Sequence, residues 1–275
     1  MAAANHPRVL VDGKAVEVMP VSDRGLHYAD GLFETIRMCG DKAPLWSRHM
    51  ARLDRGAVRL GLPAPDPELL AHECTRVSAG RSTSVCKIIY TRGSGGRAYV
   101  APDNPRPLRV VMSREAPPLA RIELAVTFCR TPLAISPALA GLKHCGRLEQ
   151  VLARRELAGS DFGEGLMCDA AGRVIEATSA NLFVLHDDII STPDLAKAGV
   201  AGVMRELVME ILADQGCQVS ESTLEKHDCR QARALFLCNA VRGIMPVTRL
   251  ESKDLEVPQL VEKLSCKVET ILSGG

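Results

Sequence analysis

Apolar positions along this chain switch several times between strand-like and helix-like periods. Arg8-Val-Leu-Val-Asp-Gly-Lys-Ala-Val-Glu-Val18 is apolar-rich on both sides of Asp12-Gly13, a dipeptide that accepts the positive φ angles of a tight turn, and predicts two short strands in a hairpin. From Ser47 to Leu60 the spacing becomes three and four, with Met50, Leu53, Ala57 and Leu60 on one helical stripe that ends near Gly61-Leu-Pro63. Arg48, Arg52, Arg55 and Arg59 lie off that stripe. A second helix is expected around residues 66 to 79. Two β-rich runs follow, Val85 to Tyr90 and Leu108 to Met112, separated by Arg92-Gly-Ser-Gly-Gly-Arg97.

Glu115-Ala-Pro-Pro-Leu-Ala-Arg121 is stiffened by proline and divides the pattern. The expected domains are therefore residues 1–115, a smaller α/β lobe, and residues 121–275, a larger one. In the second lobe, Ile122 to Cys129, Gly165 to Cys168 and Leu182 to Leu185 read as strands, and Arg147 to Ala158 as a helix. Val203 to Ala213 carries apolar pairs at helical spacing and is entered through Gly199-Val-Ala-Gly202. Ala234-Leu-Phe-Leu-Cys238 is short and continuously apolar, as a strand buried on both faces would be. Leu260, Leu264, Val268 and Ile271 mark a final helix. The fold class is α/β (α+β) in two domains.

Composition narrows the partners. The 34 basic side chains balance 33 acidic ones across 275 residues, so no field of one sign attracts nucleic acid or an acidic membrane surface, and a small-molecule partner is expected. Ten scattered cysteines without Cys-x-x-Cys read as reduced core residues. With no secretory pattern at Met1 to Arg8 and no apolar run long enough to span a bilayer, a cytoplasmic protein is expected.

The candidate chemistry centres on Leu142-Lys143-His144 and, 33 residues after the lysine, Glu176-Ala-Thr-Ser-Ala-Asn181. A lysine that forms an imine and a carboxylate that keeps a pyridine nitrogen protonated are what pyridoxal phosphate chemistry requires. Lys143 follows the apolar Ala138-Leu-Ala-Gly-Leu142 and is one of nine lysines; burial there would favour its neutral, nucleophilic form. A phosphate needs backbone N–H groups and a guanidinium. The helix start at Gly202-Val203-Met204 offers the first, and Arg52 is a candidate for the second. Taken singly, Lys143 and Arg52 read as solvated surface charges, and Glu176 as a solvated carboxylate at a strand end; it is their combination that points to the cofactor.

Arg92 to Arg97 lacks the lysine and hydroxyl ending of a P-loop, but its arginines and glycines would suit a carboxylate-bearing substrate as well as a bare turn. No His and Cys spacing forms a metal site, so no metal is expected, and no Gly-x-Ser-x-Gly supports a hydrolase.

Val21-Ser-Asp-Arg-Gly-Leu-His-Tyr-Ala-Asp-Gly-Leu-Phe-Glu-Thr-Ile-Arg37, His49-Met-Ala-Arg-Leu53, Lys143 and Glu176 to Asn181 together resemble the fold-type IV pyridoxal phosphate enzymes, the D-amino acid aminotransferase-like group. That group contains branched-chain and D-amino acid aminotransferases and 4-amino-4-deoxychorismate lyases. Thr91 to Tyr99, Gly141 to Val151, and Phe236 to Ala240 leading to Met245-Pro-Val247 resemble the lyases. The resemblance implies pyridoxal 5'-phosphate between two domains of a homodimer, with residues 26–31 or 92–99 reaching the partner's site. It implies Lys143 on the cofactor aldehyde and Glu176 at the pyridine nitrogen. Arg52, Asn181, the amides of Val203 and Met204, and the Asn239 region would complete the cofactor site. Arg97, with Arg92 or Arg242, would pair with the carboxylates of 4-amino-4-deoxychorismate, which becomes 4-aminobenzoate and pyruvate in folate synthesis. Arg242 stands where most such proteins are apolar, and Glu34-Thr35 resembles the aminotransferases equally. An aminotransferase, or a silent protein that only binds the cofactor, therefore remain as alternatives.

Overall fold

A computed structural model describes residues 8–119, 123–187 and 189–274. The chain divides into two compact units. The first is formed by the described part of Met1–Pro117 with Lys143–Gly146 and Leu272–Gly275; the second by Pro118–Leu142 and Arg147–Ile271. The divide near Pro117 falls inside the proline-stiffened segment, of which residues 120 and 121 lie outside the described residues, as does Ile122 of the expected strand. A contiguous division at that point would leave Lys143 in the second unit, whereas the folded chain places Lys143–Gly146 in the first.

In the first unit, β1 (Val9–Val11), α1 (Arg24–Tyr28), β2 (Gly31–Cys39), α2 (Trp46–Leu60), α3 (Pro67–Ser78), β3 (Thr83–Thr91) and β4 (Leu108–Glu115) follow in order. The sheet order is β1-β4-β3-β2, antiparallel throughout. Leu32, Ile36 and Met38 of β2 alternate into a core with Met50, Leu53 and Ala57 of α2 and with Leu70, Cys74 and Val77 of α3. Gly56 is needed where α2 meets the sheet, because a Cβ there would lie 2.8 Å from a methyl of Leu32. α3 starts as its sequence dictates, with Asp66 accepting from the amides of Glu68 and Leu69 and Pro67 in the first turn.

The expected N-terminal hairpin is only half present. Asp12 and Gly13 do turn with φ of 46° and 76°, yet pairing past the turn stops at a single bridge from Val11 to Lys14. β1 pairs with β4 instead. Val16 and Val18 stay exposed and have no apolar face to join.

The second unit contains β5 (Leu124–Phe128), α4 (Leu148–Glu156), β6 (Glu164–Cys168), β7 (Val174–Ala177), β8 (Asn181–His186), β9 (Ile189–Pro193), α5 (Val203–Asp214), β10 (Val219–Ser222), α6 (Lys226–Gln231), β11 (Ala234–Asn239), β12 (Gly243–Leu250) and β13 (Lys253–Asp254). α7 (Gln259–Leu272) ends the chain's regular structure. Among the described residues these strands make one mixed sheet of nine, ordered β10-β9-β8-β11-β12-β5-β6-β7, with β13 on β12. The continuously apolar Ala234–Cys238 lies in its middle, buried along its length between β8 and β12. In α7 the buried apolar residues are Val261, Leu264, Val268 and Leu272, so the ends of the expected stripe shift by one position. Of the ten cysteines, six are buried, Cys39, Cys145 and Cys217 are half-buried, and Cys266 is exposed.

Candidate active site

The lysine singled out by the sequence sits on the edge of the first sheet. Phe33 N donates to Lys143 O at 2.9 Å and Cys145 N to Gly31 O at 2.9 Å, so residues 143–145 pair with the outer side of β2. Lys143 is half-buried, and its Nζ stands 4.3 Å from the centre of the Phe33 ring. The ring face and the partial burial hold the amine in place.

One residue further along β2, the side chain turns to the opposite face of the sheet, where Glu34 meets α2. Arg52 donates from Nε to Glu34 Oε1 at 2.8 Å and from Nη2 to Oε2 at 2.6 Å, and His49 Nδ1 lies 2.7 Å from Oε2. All three are buried. Burial alone would raise the Glu34 pKa, but the charge of Arg52 and the contacts with His49 hold it down to about 2. Burial lowers the His49 pKa, Glu34 opposes that, and the charges of Arg52 and Lys143 add to the lowering.

Both groups therefore bind fewer protons in the folded chain than in the unfolded one, and stability falls as pH falls. The His49 contribution is lost below its ordinary 6.5, and that of Glu34 between 4.5 and about 2. Thermal unfolding followed by circular dichroism should give a lower Tm at pH 5.5 than at pH 7.5, with a smaller drop in His49→Asn. Equal drops in the two proteins would remove His49 from this account.

In the second unit, the run Glu176 to Asn181 grips the entry to α5. Glu176 Oε2 accepts from Val200 N at 2.8 Å, and Asn181 Nδ2 donates to Val200 O at 2.9 Å. Across from them Gly141 N donates to Gly199 O at 2.9 Å, and Ala201 N to Gly141 O at 3.1 Å. The 199–201 segment is thus held on both sides. Gly199 has φ of 85°, and a Cβ on it would lie 2.6 Å from Ile175 and 3.3 Å from Glu176 Oε2.

Gly202 caps α5 without any side-chain hydrogen bond, so Val203 and Met204 open the helix with the amides that such ends offer to anions. A Cβ on Gly202 would lie 1.9 Å from Asn181 Oδ1. Gly202→Ala must push Asn181 or the helix start aside, and unfolding in urea should register a loss of about 1–3 kcal/mol. An unchanged midpoint would mean that Asn181 yields freely.

The turn inside the motif is held by a residue the sequence reading passed over. Glu164, itself buried, accepts from Thr178 Oγ1, from Ser179 Oγ at 2.7 Å and from Gly165 N at 3.0 Å. Glu34 and His49 were visible only as members of longer motifs. Their signal was a charge inside an apolar strand and a histidine one helical turn before Arg52.

The other expected residues fare differently. Arg92 is buried, with Nε and Nη2 on Asp30 at 2.7 and 3.0 Å, Nη1 on Gly61 O at 2.9 Å and Nη2 also on Leu60 O at 2.7 Å. Burial raises the Asp30 pKa, but Arg92 and Arg24 together hold it below its ordinary value. Arg92 is a brace for the loop it starts, and its donors are too fully used for a substrate carboxylate. Asn239 accepts from the amides of Val241 and Arg242 at 3.0 and 2.9 Å and donates to Ser179 O at 3.3 Å, which commits its side chain to the turn after β11 rather than to a ligand. Arg97 and Arg242 are exposed. Among the described residues no three His, Cys, Asp or Glu side chains gather to hold a metal, and no helix is long and apolar enough to cross a membrane.

The sequence matches the family of class IV amino-transferases over residues 31–250. It is 32% identical to an aminodeoxychorismate lyase of Vibrio harveyi over 263 residues, 94% of this chain and 97% of that one. The crystal structure of 4-amino-4-deoxychorismate lyase from Pseudomonas aeruginosa superposes with a TM-score of 0.90 at 38% identity, covering 96% of this chain and 99% of that one. A branched-chain aminotransferase from Thermoproteus uzoniensis shares the fold, with a TM-score of 0.85 at 21% identity over 98% and 95% of the two chains.

Proposed function

Because this chain belongs to the class IV amino-transferase family, we propose that it is a pyridoxal phosphate-dependent lyase converting 4-amino-4-deoxychorismate to 4-aminobenzoate and pyruvate for folate synthesis. The observation that carries this reading is the likeness to two lyases of that name over more than nine-tenths of the chain.

The residues fit the cofactor. A half-buried lysine amine, a buried carboxylate and a helix start kept open by Gly202 are the nucleophile, the acceptor and the donors that its aldehyde, protonated pyridine nitrogen and phosphate require. Bound pyridoxal phosphate supplies a sink for the electron pair released when a bond at the substrate carbon breaks. Lys143 Nζ would hold the cofactor aldehyde and, when free, would be the base that takes the proton from the substrate carbon bearing nitrogen. Glu176 holds the proton on the pyridine nitrogen, and its bond to Val200 N keeps the carboxylate in one orientation. Val203 and Met204 amides and Arg52 bind the phosphate, and Asn181 holds the segment before that helix. Cleavage of the neighbouring ring carbon–oxygen bond makes the ring aromatic, which drives the step forward, and the departing enolpyruvate takes up a proton on its methylene carbon to become pyruvate. Arg97 and Arg242, both exposed, are the candidates for the two substrate carboxylates.

The enzyme acts as a homodimer; the exposed Val18, Val21, Tyr99 and Val100 of the first unit support a partner surface there. Residues 26–31 or 92–99 would contribute to the partner's site. A cytoplasmic location accords with cysteines that, among the described residues, form no disulfide.

An aminotransferase is the second reading, favoured by Glu34-Thr35 and by the family's other members. Added 2-oxo acid separates the two. A lyase forms 4-aminobenzoate at the same rate with or without 2-oxoglutarate and makes no new amino acid, whereas dependence on the oxo acid, with glutamate accumulating, would establish the aminotransferase.

A further inference from the structure

Glu34 and His49 have no task in the reaction as derived, yet both are buried ionisable side chains of the first unit, each 1% exposed. His49 and Arg52 are three residues apart on α2, one turn of helix, and therefore both reach the same position of β2. Glu34 accepts from both, with two parallel bonds from the guanidinium edge and one from the imidazole. Stability is a poor reason for such a group, since buried ion pairs are often replaceable by apolar side chains without loss. What a two-bond carboxylate contact does give is a fixed plane for the guanidinium, and with it the direction in which the group faces.

We propose that Glu34 and His49 are positioning residues that orient the Arg52 guanidinium toward the cofactor phosphate. This rests on the reading that Arg52 meets the phosphate. With His49 neutral and Glu34 ionised, the group carries no net charge, so its hold on an anion comes from aimed donors rather than from a free cation. Arg52→Lys, which keeps the charge and loses the fork, should then behave almost like Arg52→Met.

The test compares affinities of the cofactor-free full chain for pyridoxal phosphate and for pyridoxal, which lacks the phosphate. Their ratio isolates the phosphate contact from attachment at Lys143, and a merely structural role would weaken both alike. Glu34→Gln should lower the ratio at least about tenfold while leaving pyridoxal affinity near that of the parent, with Arg52→Lys and Arg52→Met close to each other. An unchanged ratio in Glu34→Gln, with a lowered ratio in Arg52→Met, overturns the positioning role alone. An unchanged ratio in Arg52→Met shows instead that Arg52 does not meet the phosphate. Should Glu34→Gln fail to fold, His49→Asn, which can keep an N–H toward Glu34, and His49→Leu, which cannot, carry the same test. The ratio should be retained in the first and fall at least about threefold in the second, and equal ratios would overturn the proposal.

Discussion

Lys143→Ala loses the visible absorption of the cofactor-loaded protein and lowers kcat by roughly 10⁴-fold, the upper end of what a positioned proton-transfer group supplies. Lys87→Ala keeps both. The comparison is stringent because both amines stand near the same ring, at 4.3 Å for Lys143 and 5.1 Å for Lys87 from the centre of Phe33. They differ in what carries them. Lys87 lies on β3 opposite Thr35 and is exposed to solvent. Lys143 is half-buried on a segment pinned to β2 by two backbone hydrogen bonds, so its amine is held in one place. Spectra of the two variants after loading with pyridoxal phosphate, followed by turnover, decide the matter. Retained activity in the Lys143 variant would remove that residue from the mechanism.

Glu176→Gln should still bind the cofactor and lower kcat by about 10²–10³-fold, the usual loss when a charge aimed at a reacting group is removed. The amide can still accept from Val200 N through its oxygen, so the 199–202 segment and the start of α5 keep their place. What it cannot do is hold a proton on the pyridine nitrogen as an anion does. Glu176→Ala goes further, because it also releases Val200 N, and should weaken phosphate binding as well as slow turnover. Single-turnover kinetics with saturating cofactor separate the two effects. Parental rates in Glu176→Gln would leave the carboxylate with a purely structural role on Val200.

Several parts of this account could be read from the chain before folding. Ala234–Asn239 is recognisable because a strand covered on both faces has nowhere to put a polar side chain, and the α5 start because glycine, apolar pairs and helical spacing coincide. β2 was hidden for the opposite reason. Its alternation is broken by Glu34 and Arg37, both buried, whose partners His49, Arg52 and Pro117 O come from elsewhere in the chain. The ion pair of Arg92 is not legible from its glycine neighbours, because the carboxylate it meets, Asp30, lies 62 residues away. The placement of Lys143–Gly146 in the first unit was equally out of reach, since it depends on the edge of a strand that the pattern concealed.

The central claim is the reaction itself. Enzymatically generated 4-amino-4-deoxychorismate, mixed with the protein loaded with pyridoxal phosphate and analysed by chromatography, should yield 4-aminobenzoate and pyruvate in equal amounts, far above a control without protein. Absence of both products from protein that keeps its visible cofactor absorption would contradict the account.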